Sequence, residues 1–190
     1  MRDKIKEILL ESIQIKEEML HTCIGEIMEI ARSIIDCIKN GGKVILFGNG
    51  GSASDSQHIA AELVGRFRID RTGLPAIALT TNTSVLTSLA NDYGYEAVFA
   101  RQIEALGQKG DLAIGISTSG KAKNVLAAIK QAKKMGIKTV VMTGKDGVEL
   151  AKLADISILI PSSITARIQE AHIIIGHIIC ELVEQNLFQT

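Results

Sequence analysis

The chain has 190 residues, room for one sizeable α/β domain and short for two. Lys+Arg and Asp+Glu both number 21 and aromatics make up 3% with no Trp, which argues against a nucleic-acid binder that works by phosphate neutralisation or base stacking. The charged, periodic N-terminus is not a signal peptide, the apolar run 173–180 is too short and too interrupted to span a bilayer, and Cys23, Cys37 and Cys180 are scattered without a CxxC, so the expectation is a soluble cytoplasmic protein with buried thiols.

Two amphipathic helices are predicted first, at about 3–20 and 22–39, the second closed by Asn40-Gly41-Gly42. This pair (1–40) either covers a sheet edge or packs on another subunit, and the single apolar stripe of the first helix favours oligomer contact. From Lys43 strands and helices alternate. Strands are expected at 44–47, 76–79, 112–116, 138–143 and 156–160. Helices are expected at about 53–67, from Thr83 to a break at Asn91-Asp92-Tyr93-Gly94, and at about 95–106, 122–135, 146–153 and 165–187. Short β-branched strands alternating with helices predict an α/β fold. Its architecture is a three-layer αβα sandwich on a five-stranded parallel sheet, doubly wound and flavodoxin-like, as one domain over 1–190.

Gly48-Asn49-Gly50-Gly51-Ser52-Ala53 follows the first strand and fits G-x-G-x-x-[G/A]. A dinucleotide site would want an acidic residue at the end of strand 2, but that strand runs out into Leu79-Thr80-Thr81-Asn82. The end of strand 3 carries a second polar loop, Ser117-Thr118-Ser119-Gly120, again at a helix start. Each loop alone could simply cap its helix. Two on one edge of an open α/β sheet read better as a neutral cradle for a phosphate or sugar hydroxyls.

His58 and Glu62 are four apart on the helix after the first loop, so they share a face. Gln169 and His177, eight apart, lie about 80° from one another around the final helix and can share one side of it. Singly, His177 would pass for a core histidine and Glu62 for a solvated charge. Together they are candidates for acid, base and metal ligand.

GNGGSASDSQHIAAELVGRF with ISTSG resembles the sugar isomerase (SIS) domain, a phosphosugar-binding fold. LANDYG (89–94), MTGKDG (142–147) and ARIQEAHIIIGH (166–177) narrow this, and nearly the whole chain is similar to the phosphoheptose isomerases. The resemblance implies conversion of D-sedoheptulose 7-phosphate to D-glycero-D-manno-heptose 7-phosphate through an enediolate, the first step of bacterial heptose biosynthesis for surface polysaccharides. It implies Glu62 as base and His177 as acid. It implies one zinc per subunit at His58, Glu62, Gln169 and His177, and a homotetramer with sites completed across subunits. Asn49, Gly50, Gly51, Ser52, Ser117, Thr118, Ser119, Gln169 and Glu62 would hold the substrate, with Asn91 and Asp92 on the sugar. Ala122 and Ala166 stand where some members carry Ser and Asp, which bears on substrate preference. The alternatives are a non-catalytic relative that binds the replication initiator and a phosphosugar sensor without turnover.

Overall fold

The computed structural model describes residues 1–188. Helices α1 (Arg2–Thr22) and α2 (Ile24–Lys39) are parted only by Cys23. Then follow β1 (Val44–Gly48), α3 (Gly51–Val64), β2 (Ala76–Ala78), α4 (Thr83–Tyr93) and a 3-10 turn (Tyr95–Ala97). The chain continues through α5 (Val98–Leu106), β3 (Leu112–Ser117), α6 (Lys123–Lys134), β4 (Lys138–Gly144), α7 (Val148–Leu153), β5 (Ile156–Ile160) and α8 (Thr165–Phe188). All four strand pairings are parallel and the order is β2-β1-β3-β4-β5, so the expected five-stranded parallel sheet is borne out.

Alternation along each strand sends side chains to opposite faces. Val44 and Leu46 of β1, Ile114 and Ile116 of β3 and Val140 and Met142 of β4 pack with α2, α3 and α8. Ile45, Phe47, Ala113 and Val141 face α5, α6 and α7 on the other side. Both faces of the central strands are covered, as a parallel sheet requires. The edge strand β2 is the exception, with Ile77 at 36% exposure.

Two boundaries depart from expectation for identifiable reasons. The apolar period would carry α3 to about residue 67, but the helix stops at Val64. The Arg71 guanidinium folds back onto the free carbonyls of Glu62, Leu63 and Gly65, at 2.9, 2.7 and 3.0 Å. Those carbonyls therefore have partners that a longer helix would have supplied. Conversely, α4 runs straight through Asn91 and Asp92 and ends only at Gly94, whose φ of 83° suits glycine.

The pairing that positions the site is α3 with α8. Gly51 lies against Gln169, Ile59 against Gly176, His58 against His177, and Phe67 against Glu184. The numbers rise together, so the helices run side by side in the same direction. Gly176 makes the close approach possible, because a Cβ there would come within 2.7 Å of the Ile59 side chain. The N-terminal helix is tied to α8 by Ser12 Oγ to Glu170 at 2.7 Å and by Arg167 to the Ile8 carbonyl at 2.9 Å. Its opposite stripe, including Ile5, Leu9, Leu10 and Ile13, is exposed.

Candidate active site

The two polar loops and α8 enclose one cleft of about 130 Å³ at the C-terminal ends of β1 and β3. Asn49, Ser52, Ser117, Thr118, Ser119 and Gln169 line it, with Ala122 where a further hydroxyl could have stood. Its lining is mainly polar. Larger hollows of about 330 and 370 Å³ lie elsewhere, one at the N-terminal ends of the strands around Lys138 and one beside β2 around Val85. Neither contains a histidine or a Gly/Ser loop, and ligands of open α/β sheets bind at the carboxyl strand ends, where the small cleft is.

Asn49 is fixed before any ligand arrives. Its amide and that of Asn124 bond reciprocally, each at 2.9 Å, and Tyr95 donates its hydroxyl to Asn49 Oδ1 at 3.1 Å. Both acceptor positions of Oδ1 are then used, which leaves the second N–H of Asn49 Nδ2 for a ligand. Asn124 is buried and also accepts from the Val125 N–H at 2.9 Å. Sequence reasoning passed over Asn124 and Tyr95. The signal for Asn124 was a polar residue in the first turn of a helix that directly follows the Ser/Thr loop.

Gln169 reaches the cleft because Gly51 lets it. A Cβ on Gly51 would overlap the Gln169 amide. Gly51→Ala is therefore expected to push the amide out of the cleft while the backbone stays, since the obstructed atoms end a flexible side chain. The measurable result is an unchanged thermal midpoint with KM raised about tenfold, the order of one lost hydrogen bond to a charged group. An unaltered KM would remove Gln169 from the substrate contacts.

The second group lies further along the same two helices. His58 Nε2 is 3.2 Å from Glu62 Oε1 and 3.4 Å from His177 Nε2. The His58 and His177 rings meet edge to face with centroids 5.0 Å apart, and Phe67 covers His177 at 5.6 Å. All three ligand atoms lie within 4.8 Å of one another. Donors on a tetrahedral ion with bonds of about 2.0–2.2 Å stand roughly 3.3–3.6 Å apart, so this group can hold a metal ion with little movement. Glu62 is partly open to solvent at 25% side-chain exposure, and His58 at 46%. Eight residues separate Gln169 from His177, about 12 Å of helix, so Gln169 sits with the Ser/Thr cleft at the upper end of the group.

Asn91 and Asp92 take no part in the cleft among the described residues. They lie exposed at the end of α4, Asn91 Nδ2 donating to Asp92 Oδ1 at 2.8 Å. Ala166 is exposed in the first turn of α8. His172, one turn beyond Gln169, is wholly buried and turned away as a neighbour. Burial pushes its imidazole down to about 4, against a smaller opposing pull from the Thr143 backbone. Burial likewise pushes the Asp55 carboxyl up to about 6, with His58 drawing it the other way. The three thiols are buried, and burial raises each of them, Cys37 to about 11 and Cys180 to about 12.

Comparison with known proteins adds to this geometry. Residues 9–144 match the SIS domain family. The chain is 51% identical to the phosphoheptose isomerase of Sulfurimonas denitrificans over 190 residues, covering 99% of this chain and 97% of that one. It is 53% identical to the phosphoheptose isomerase of Clostridium acetobutylicum, with the same coverage. The solved phosphoheptose isomerase of Neisseria gonorrhoeae superposes with a TM-score of 0.92 at 39% identity, over 97% of this chain and 98% of that one.

Proposed function

The chain belongs to the phosphoheptose isomerases of the SIS domain family, and from that premise we propose the residues through which it converts D-sedoheptulose 7-phosphate to D-glycero-D-manno-heptose 7-phosphate. The observation that carries the assignment is the placement of the His58, Glu62 and His177 group and the Ser/Thr cleft along one pair of helices. A substrate held by its phosphate in the cleft can lay its carbonyl end over the histidines.

Ser52, Ser117, Thr118 and Ser119 bind the phosphate, with Gly50 and Gly51 allowing the close approach of the loop. Asn49 and Gln169 hold substrate oxygens, and Asn91 and Asp92, exposed at the end of α4, reach the sugar of a neighbouring subunit's site in the tetramer. Glu62 removes the proton from C1 of the open-chain ketose. His177 donates a proton to O2 as charge moves onto that oxygen, giving the enediol. Glu62 then delivers its proton to C2 as the O1 hydroxyl gives its own proton back to His177, and the aldose results with both residues restored. Zinc held by His58, Glu62 and His177 would stabilise charge on O1 and O2; Gln169 would join as a weaker fourth donor only by swinging out of the Ser/Thr cleft, and His177 would then give its proton from Nδ1. The enzyme works in the cytoplasm at the start of heptose synthesis for surface polysaccharides. It assembles as a homotetramer through the exposed stripe of α1.

The test is to add sedoheptulose 7-phosphate to the pure protein and follow the aldose product. Chelation is expected to lower the rate at least tenfold and zinc to restore it. Binding without any product would mean a sensor, and full activity after chelation with no metal remaining would remove zinc from the reading.

A further inference from the structure

We infer that the buried Arg71–Glu184 pair, acting through Phe67, is a positioning device that keeps Glu62 and His177 in register. The inference rests on reading His58, Glu62 and His177 as the reactive group. Both side chains of the pair are only 2% exposed. Glu184 Oε1 accepts the N–H groups of Arg68 and Ile69 at 2.6 and 2.7 Å, and Oε2 accepts Phe67 N–H at 2.9 Å and Arg71 Nε at 3.0 Å. Four donors on two oxygens fill the carboxylate. Burial alone would raise the Glu184 carboxyl, but these donors hold it below the usual carboxylate range.

The pair grips both halves of the site. Glu184 lies seven residues beyond His177 on α8, two turns and about 10 Å along the same side. Arg71 donates to the Glu62 carbonyl at 2.9 Å, so it fixes the turn of α3 that carries the base. Phe67 closes the circuit, since its N–H is bound by Glu184 while its ring lies on the His177 ring at 5.6 Å. A buried ion pair is a poor source of stability compared with apolar packing, and fixing one register is the use that best accounts for it.

Three variants, loaded with Co(II) as a spectroscopic probe, test this. In Glu184→Gln an amide NH₂ must face two N–H donors, whichever way it turns, so the grip on 67–69 is lost. Phe67→Leu removes the ring and leaves the pair. Both are expected to lower kcat about 10- to 100-fold with KM within about twofold, and to weaken Co(II) binding about tenfold with a changed visible spectrum. Phe67→Tyr is expected to restore the rate and the spectrum. Phe67→Leu with wild-type kcat and Co(II) affinity overturns the inference even if Glu184→Gln fails to fold. So does a loss that only tracks the unfolded fraction seen by circular dichroism. A wild-type protein that binds no Co(II) through its histidines would instead strike at the reading of the metal group.

Discussion

Glu62→Gln is expected to lower kcat by about 10³-fold while sedoheptulose 7-phosphate still binds within about threefold of wild type. Binding survives because the cleft proposed for the phosphate is built from the loops after β1 and β3 and from Gln169, none of which leans on the Glu62 carboxylate. Chemistry fails because the amide cannot accept the C1 proton. In D₂O the wild type should exchange that hydrogen into product and solvent, and the variant should not. Glu62 also stands 3.2 Å from His58, within the group that can hold a metal, so ligand and base could be one residue. A Co(II) titration separates the roles. Retained Co(II) binding with lost turnover assigns Glu62 as the base; loss of both assigns it first to the metal. Turnover near the wild-type rate would sink the assignment altogether.

Much of this site could be read from sequence because its parts are local. Strand, Gly/Ser loop and helix are contiguous in Val44–Glu62, and the four-residue spacing of His58 and Glu62 fixes a shared face once the helix is granted. The order of five apolar strands with helical crossovers leaves few topologies, and β2-β1-β3-β4-β5 is one of them. What escaped is what depends on partners far away in sequence. The end of α3 at Val64 is set by Arg71 returning to its carbonyls, and Arg71 is itself set by Glu184, 113 residues later. The amide pair of Asn49 and Asn124 spans 75 residues. No period or propensity in either segment carries such a contact. Nothing in its own segment marks Glu184 as buried, yet it is 1% exposed, because the loop 65–75 wraps over it. His177 went the other way. Its apolar surroundings, IIIGHIIC, suit a buried core histidine, but Gly176 beside it draws α3 close enough to bring His58 within 3.4 Å.

A second large effect is expected in the pH dependence of stability, and it comes from His172. Its imidazole is fully buried, and burial brings it from 6.5 down to about 4, with the Thr143 backbone offsetting only a smaller part. Between those values the unfolded chain binds a proton that the folded chain refuses. Stability from this group is therefore complete above pH 6.5 and is lost as pH falls toward 4, by about 3 kcal/mol in all. Asp55 opposes it. Burial holds its carboxyl protonated up to about 6, so its contribution is present below the ordinary 3.8 and is lost as pH rises through 6. Asp55 is only partly buried, so solvent screening makes its share the smaller. Glu184 and Asp155, both held below the usual carboxylate range, act only below this window. Urea midpoints of the chelated protein from pH 5 to 6.5 should thus rise gently with pH in the wild type. Asp55→Asn should steepen the rise toward the one-proton limit of about 1.4 kcal/mol per pH unit. His172→Gln should flatten or reverse it, whatever that variant's absolute stability. An identical slope in wild type and His172→Gln would mean that His172 is charged in the folded protein, and the buried neutral imidazole beneath Gln169 would have to be abandoned.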